Sequence, residues 1–513
     1  MRPWRDHLPP RSTMSPADLT SGGTLLRVWS RRWSDAPHAR LWLEPAARSG
    51  DPSTSHRAGG HWWTADEFEA ATRRAAGRLR AAGLSPGDRI VWSTTSSVAS
   101  LVAHVGALRA GMVVVPANTA YTERELAHIV TDVRPSAAIV DRADQSRWMQ
   151  RASVGPLVVT GSDLDLPDGP PGPIDAAAPD DPALICFTSG TTGAPKGAVL
   201  RHRHLLAATE SVMTAWRWAP EDRLVHCLPI FHAHGLCVGV YGTLLAGASA
   251  VLLPGFDPAA VAGAADAHRA TLFFGVPTMY HRLVVSGHLV RLSGMRLCVS
   301  GSAPLSGALH HQIDAASDIV VLERYGMTET LMNVSNPYDG LRRPGTVGFP
   351  LPGVEVRLAR DGEILVRGPN VFDGYWERPQ ADLEVFVPAE DGGSDWFRTG
   401  DLGEDDDGYL RIWGRSKELI ISGGFNVYPS EIEDVVATHP GVAEVAVTGS
   451  VSDEWGEIVT AWIVPDGVAP SVEELAAFTE ATLAPYKRPR LVRVVDSLPR
   501  NAMGKVVRSE LRR

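Results

Sequence analysis

The stretch "TSGTTGAPKG", residues 188–197, packs three glycines, four hydroxyls and one lysine into ten positions. Glycines let a ligand approach the backbone closely, and hydroxyls with an ammonium group suit phosphate oxygens. The common phosphate loop reads G-x-x-x-x-G-K-[ST], with glycine before the lysine and a hydroxyl after it. Here Pro195 precedes Lys196 and Gly197 follows it. The segment therefore reads as a phosphate-holding turn of another kind. It is entered through "DLPDGPPGPIDAAAPDDP", a Pro/Asp/Gly linker ending at Pro182.

Working outward, helix and strand patterns alternate on both sides. "TADEFEAATRRAAGRLRAAGL" opens with Thr64 and has Glu67 three residues later, a capping box ahead of helical apolar spacing. "MVVVPAN", "SAAIVD" and "TLFFGVP" are short apolar strands, each preceded by a helical stretch. Near-continuous apolar strands between helices imply parallel sheets covered by helices. Beyond residue 340 the texture changes, and "GVEVRLARDGEILVRGP" and "DGYLRIWGR" read as hairpins around Asp-Gly turns. From about Lys417 a compact piece mixes two helices with three strands. The fold class expected is α/β: a large N-terminal domain (residues 21–416) of parallel-rich sheets with a β-rich subdomain, and a small α+β C-terminal domain (417–513). A loose tail (1–20) is expected ahead of them.

Composition narrows the function. The 513 residues are 44% hydrophobic and 21% charged, with a net charge of -10. An acidic chain without a long basic run is ill suited to nucleic acid or to an anionic membrane surface. No run of about 18 apolar residues suggests a membrane span. The N-terminus has no apolar signal-peptide core, which makes the cytoplasm the expected location. Cys186, Cys227, Cys237 and Cys298 sit among apolar residues and read as buried, reduced thiols. Of 49 basic residues only Lys196, Lys417, Lys487 and Lys505 are lysine. In a chain that uses arginine for ordinary surface charge, these four are candidates for work that needs a compact charge on a flexible stem.

Further segments carry chemistry. "YGMTET" (325–330) follows an apolar strand and offers Thr328 and Glu329, a hydroxyl and a carboxylate suited to a phosphate and its magnesium. "TGD" presents Asp401 as an acceptor for a ribose diol. "GRSKELIISGGFNVYPSEIE" combines Arg415 and Lys417 with Gly423 and Gly424, and "NAMGKVVR" places Lys505 near the chain end.

In this order and spacing the segments resemble the acyl-adenylate-forming enzymes: acyl-CoA synthetases, luciferases of the firefly type and peptide-synthetase adenylation domains. The resemblance covers the chain beyond its N-terminal tail. It implies a two-step reaction, in which ATP converts a carboxylate to an acyl-adenylate and a thiol, usually of coenzyme A, then displaces AMP. By resemblance Thr188, Ser189, Gly190, Thr191, Thr192, Gly193 and Lys196 surround the β- and γ-phosphates. Thr328 meets the α-phosphate, and Glu329, with Thr188, serves Mg2+. Gly301, Ser302, Ala303 and Pro304 with Tyr325 and Gly326 enclose the adenine, and Asp401 and Arg415 take the ribose. Lys505 bridges the acid and the α-phosphate. Lys417 matches the hinge about which a mobile C-terminal domain rotates, bringing Ser422, Gly423 and Gly424 to the thiol. Lys487 belongs to the pattern without an evident role.

The acid is read elsewhere. "LPIFHAHG" has His232 and His234 where amino-acid-activating members place an aspartate, and His232 matches the gate between acyl pocket and thiol tunnel. "FGVPTMYHRL" places Arg282 where burial would require an anionic partner. With "LERYGMTETLMN" this resembles the malonyl-CoA synthetases, whose matching arginine holds malonate's free carboxylate. Met327 and Ala233 border the acyl α-carbon. Ala233 is smaller than the subfamily pattern, which leaves room for methylmalonate. The expected substrates are small molecules: a dicarboxylic acid, ATP and coenzyme A. A medium- or long-chain acyl-CoA ligase and a stand-alone adenylation enzyme loading a carrier protein are the alternatives.

Overall fold

The computed structural model describes residues 1–44, 60–172, 175–188, 195–422, 424–452, 455–501 and 505–511. Two large sheets form its centre. A six-stranded sheet runs Val158–Thr160, Ala137–Val140, Arg89–Ser93, Val113–Pro116, Pro182–Thr188, Lys196–Arg201. A nine-stranded sheet runs from Phe349–Pro350 through Leu322–Tyr325, Leu297–Ser300, Leu272–Gly275 and Arg223–His226 to His61–Thr64. Their central pairings are parallel, as the apolar strands required. Val113–Pro116 and Leu272–Gly275 are buried at every position. The largest apolar cluster takes side chains from both sheets, including Trp92, Val114 and Leu184 from one and Trp42, Phe274 and Val299 from the other. The helix Ala65–Ala81 starts at the expected capping box, where the Thr64 N–H donates to Glu67 at 2.9 Å.

The β-rich subdomain is a five-stranded sheet. Glu355–Leu358 pairs antiparallel with Glu363–Arg367, and Trp396–Asp406 with Tyr409–Arg415. The turn of the second hairpin has Asp407 at φ 51° and Gly408 at φ 88°, the two positive angles a tight two-residue hairpin turn needs. The C-terminal segment builds its own five-stranded sheet around Gly456–Pro465, with the helices Pro429–Val436 and Val472–Phe478. Its core, Ile420, Val427, Ile432, Val459 and Leu475 among others, is separate from that of the large sheets.

Residues 1–20 depart from expectation. They form two short 3-10 turns, Trp4–His7 and Pro16–Thr20, and they are packed rather than loose. His7 is buried, stacks on Phe349 at 4.1 Å and meets its carbonyl at 3.2 Å. The Arg2 N–H donates to the Gly408 carbonyl at 3.0 Å. An aromatic face and an open turn carbonyl anchor the segment, features its polar composition did not reveal.

Candidate active site

A cavity of about 1060 Å³ opens where strands of both sheets end. Its lining follows the carboxyl ends of parallel strands, where open α/β sheets bind ligands. Asn118 follows Val113–Pro116, Phe231 to His234 follow Arg223–His226, Ser302 follows Leu297–Ser300, and Gly326 to Glu329 follow Leu322–Tyr325. Arg415, Lys417 and Lys505 complete it from the subdomain and the C-terminal segment.

At one end are groups suited to phosphate. Thr188 and Lys196 are directly opposite in the hairpin of Pro182–Thr188 with Lys196–Arg201. The Lys196 ammonium lies 5.3 Å from the centre of the Tyr375 ring, and the Tyr375 hydroxyl donates to Glu329 at 3.0 Å. Glu329 is buried, and burial raises its carboxyl above the ordinary range despite Tyr375. Asp401 and Arg415 are register partners, and the Arg415 guanidinium reaches Asp401 at 2.8 Å. The Tyr325 hydroxyl donates to the other oxygen of Asp401 at 2.6 Å. Lys505 lines the cavity, its ammonium pushed down by burial and then by Arg415. The Asn501 side-chain oxygen accepts from the Lys505 backbone N–H at 3.0 Å.

Among the described residues no cluster of three or more His, Cys, Asp or Glu could by itself hold a metal. A single buried carboxylate fits magnesium nevertheless, because that ion takes one or two protein oxygens and completes its shell with phosphates and water. Glu329, desolvated and near Lys196 through Tyr375, has that character.

The other end is built from "FHAHG". His234 starts a π-helix, His234–Val240, and Gly235 permits it: a Cβ there would fall 2.2 Å from the Pro229 carbonyl. Single π turns recur at functional sites because they re-aim side chains. The His234 N–H donates to the His232 ring nitrogen Nδ1 at 3.2 Å, which leaves His232 its other nitrogen as donor. Burial, and then Arg324, holds the His232 imidazole down at about 4 and lowers that of His234 further below the usual range. Both rings are neutral at physiological pH. Ser302, 3.5 Å from His234 Nδ1, has φ 70°, a left-handed backbone rare for a side-chain-bearing residue. Ala233 and Met327 also line the cavity.

The expected residues divide accordingly. Thr188, Lys196, His232, Ala233, His234, Ser302, Gly326, Met327, Thr328, Glu329, Arg415, Lys417 and Lys505 share one cavity. Asp401 and Tyr325 adjoin it through Arg415 and through each other. Gly301, Ala303 and Pro304 flank Ser302 without lining the cavity, and Ser422 and Gly424 are also absent from its wall. Ser189, Gly190, Thr191, Thr192, Gly193 and Gly423 lie outside the described residues. Lys487 has a plain structural partner: its ammonium donates to both oxygens of Glu431, at 2.6 and 2.7 Å.

Arg282 corrects an expectation. It is exposed on the helix Pro277–Val285, so no buried charge demands a partner there. Its guanidinium lies 5.0 Å from the centre of the Phe256 ring and lines a second cavity of about 470 Å³. Phe231 and Asn501 lie on both cavities. Two residues escaped sequence reasoning. Tyr375, in "DGYW", bridges Ala198 and so reaches Lys196, and the aromatic pair after an Asp-Gly turn was its only signal. Arg324, in "LERYG", lines the first cavity and is 6% exposed.

Comparison with known proteins agrees with this geometry. The family model for AMP-binding enzymes matches residues 43–376, and the model for the C-terminal domain of AMP-binding enzymes matches 431–505. A feruloyl-CoA synthase from Amycolatopsis is 35% identical, over 92% of this chain and 98% of its own length. A malonate–CoA ligase of Arabidopsis thaliana is also 35% identical, over 84% of this chain and 78% of its own. The crystal structure of ATP-bound MatB from Rhodopseudomonas palustris superposes with a TM-score of 0.86 at 39% identity, covering 95% of this chain and 98% of that one. No helix among the described residues is long and apolar enough to cross a membrane. With both models matched and the nucleotide-suited groups gathered in one cavity, the chain belongs to the AMP-binding enzyme family, among its acyl-CoA ligases.

Proposed function

We propose that the chain joins malonate, and with its smaller Ala233 also methylmalonate, to coenzyme A through an acyl-adenylate. The observation that carries this reading is a single cavity whose wall brings Lys196, Thr328, Glu329 and Lys505 together with His232, Ala233, His234 and Met327. In the first half-reaction a carboxylate oxygen attacks the α-phosphorus of ATP, and pyrophosphate leaves. Lys505 draws the two anionic reactants together, and Lys196 with Thr188 holds the departing phosphates. Thr328 donates to the α-phosphate, where charge develops. Magnesium, held by Glu329, would neutralise phosphate charge. Asp401 and Arg415 orient the ribose, and Ser302, Tyr325 and their neighbours Gly301, Ala303, Pro304 and Gly326 flank the base. In the second half-reaction the thiol of coenzyme A attacks the acyl carbon and AMP leaves.

One lysine and one thiol-binding loop cannot both be at the acyl carbon. Lys505 is in the cavity wall, whereas Ser422 and Gly424 are not. This supports alternation: residues 417–513 move as a unit about Lys417 relative to 21–416, withdrawing Lys505 and bringing the segment 422–424 to the thiol. His232, neutral and bordering Phe231, guards the passage between the acyl end and the second cavity. Arg282, exposed on that second cavity, adds positive charge on the approach for an anionic acid.

The feruloyl-CoA synthase relative favours a second reading, an aromatic monocarboxylic acid. An acid panel with ATP, Mg2+ and coenzyme A, read as AMP release and thioester mass, separates the two. Malonate or methylmalonate should give the highest kcat/KM. Preference for ferulate or octanoate contradicts the proposed acid, and thioester formed only on a carrier protein contradicts the proposed thiol.

A further inference from the structure

The turn that carries Lys505 is tied to the hinge by a side chain that the reaction itself does not use. Arg508 follows Lys505 in "NAMGKVVR" and begins the short helix Arg508–Leu511. The Val507 N–H donates to the Pro499 carbonyl at 2.8 Å, so Arg508 stands at the foot of the Lys505 turn. Leu511, on the same helix, is buried with Ala446 and Leu498. The Arg508 Nη2 donates to both oxygens of Glu433, at 2.8 Å each, and its Nη1 donates to Glu418 at 2.9 Å. Glu433 lies on the helix Pro429–Val436 and also accepts from the N–H of Val447, a core position, at 2.7 Å. Glu418 ends the 3-10 turn Ser416–Glu418 and directly follows Lys417. None of the three side chains is more than 26% exposed. Residues 90 positions apart are thereby joined beside the axis of the proposed rotation. Lys487 makes a similar pair with Glu431 on the same helix, but that pair stays within the C-terminal segment.

We propose that Arg508 is a positioning residue for adenylation, bridging Glu418 beside the hinge and Glu433 in the C-terminal core so that the Lys505 turn follows the rotation about Lys417. This rests on the alternation proposed above and deepens it by naming the linkage that carries the motion to the lysine. Arginine suits the place, because its planar fork engages two carboxylates at once. A lysine on a turn without that bridge is aimed less closely, and a displacement of about 1 Å can cost about 100-fold in rate. Ser422 and Gly424 need no such bridge, because the strand Ile420–Ser422 follows the hinge directly.

The test uses the full-length enzyme with malonate. ATP–pyrophosphate exchange reports adenylation, and thioester formation from preformed acyl-adenylate reports thiol attack. In Arg508→Met the kcat of adenylation should fall about 100-fold, with KM for ATP and malonate changed only a few-fold and thiol attack nearly intact. Arg508→Lys reaches one carboxylate and should recover part of the rate. Glu418→Ala leaves the fork on Glu433, so the C-terminal fold keeps its anchor, and adenylation should fall about 10-fold, as for loss of one charge-assisted hydrogen bond. The double variant should be no slower than Arg508→Met, since the two residues act as a unit. Charge and placement are separable here. Burial and then Arg415 push the Lys505 ammonium down, Glu418 acts in the opposite sense, and Arg508 adds to the lowering. An effect of charge alone would therefore send the two single variants in opposite directions. Opposite effects, equal loss of both half-reactions, multiplied losses in the double variant, or unchanged adenylation in Arg508→Met overturns the assignment. Failure of the underlying reading looks different: the wild-type enzyme would give no exchange with malonate, or Lys505→Ala would slow both half-reactions alike.

Discussion

The two ends of the cavity are built on opposite plans. At the phosphate end the carboxylates already have protein partners: Glu329 accepts from Tyr375, and Asp401 is held by Arg415 and Tyr325. At the acyl end Nε and Nη2 of Arg324 and Nε2 of His234 are buried without partners among the described residues. A network complete before the ligand arrives is preorganised, so its groups need little rearrangement when charge develops. An incomplete one stores a desolvation cost that only the right ligand relieves, which makes it selective. The contrast separates chemistry from choice of substrate.

Substitutions can break or sharpen that contrast. The largest effect belongs to Lys505→Ala, which should slow adenylate formation about 1000-fold while leaving thiol attack on preformed acyl-adenylate nearly intact. Measuring the half-reactions separately checks this, and parallel loss of both would argue against alternation. Glu329→Gln should slow adenylation about 100-fold and raise the magnesium requirement. In the wild type, burial favours the protonated form of Glu329 while the ionised form does the work. The acid limb of the adenylation profile should therefore lie above about 4.3, the ordinary glutamate value. That limb should vanish in the variant. Tyr375→Phe removes one hydrogen bond to a charged group and should cost about 10-fold in adenylation, with malonate-to-propanoate preference unchanged. A changed preference would show that the two ends are not independent. Lys487→Met should leave both half-reactions alone and lower stability by about 0.2–1 kcal/mol, the range for a partly exposed ion pair. A rate defect at constant stability would give Lys487 a role that its pairing with Glu431 does not suggest.

The phosphate end was largely legible in the sequence, because its residues sit in contiguous segments. "YGMTET" carries its own turn where the apolar strand "IVVLER" ends, "TGD" lies within the strand Trp396–Asp406, and most of "TSGTTGAPKG" lies outside the described residues. The hairpins were equally local, since Asp-Gly turns dictate their own φ angles. The acyl end was less legible because burial is decided by tertiary packing. Arg282, beside the apolar "PTMY" run, looked interior, but the helix Pro277–Val285 turns it outward. In the sequence Arg324 stands beside Glu323 with no local pattern to mark it as buried. In the structure it fills the space that the missing side chain of Gly301 leaves, and Glu323 turns instead to His310 at 2.8 Å. The N-terminal segment was missed for a similar reason, its anchor Phe349 being 342 residues away from His7.

The central claim is that the acyl end awaits a second negative charge. Comparing malonate with its monomethyl ester in ATP–pyrophosphate exchange by the wild-type enzyme tests it most directly, since the two acids share a backbone and the ester replaces one charge with a methyl group. Malonate should support exchange with kcat/KM about 100-fold above that of the half-ester, as loss of a buried charge-assisted pair requires. Equal exchange with the two acids would contradict the account.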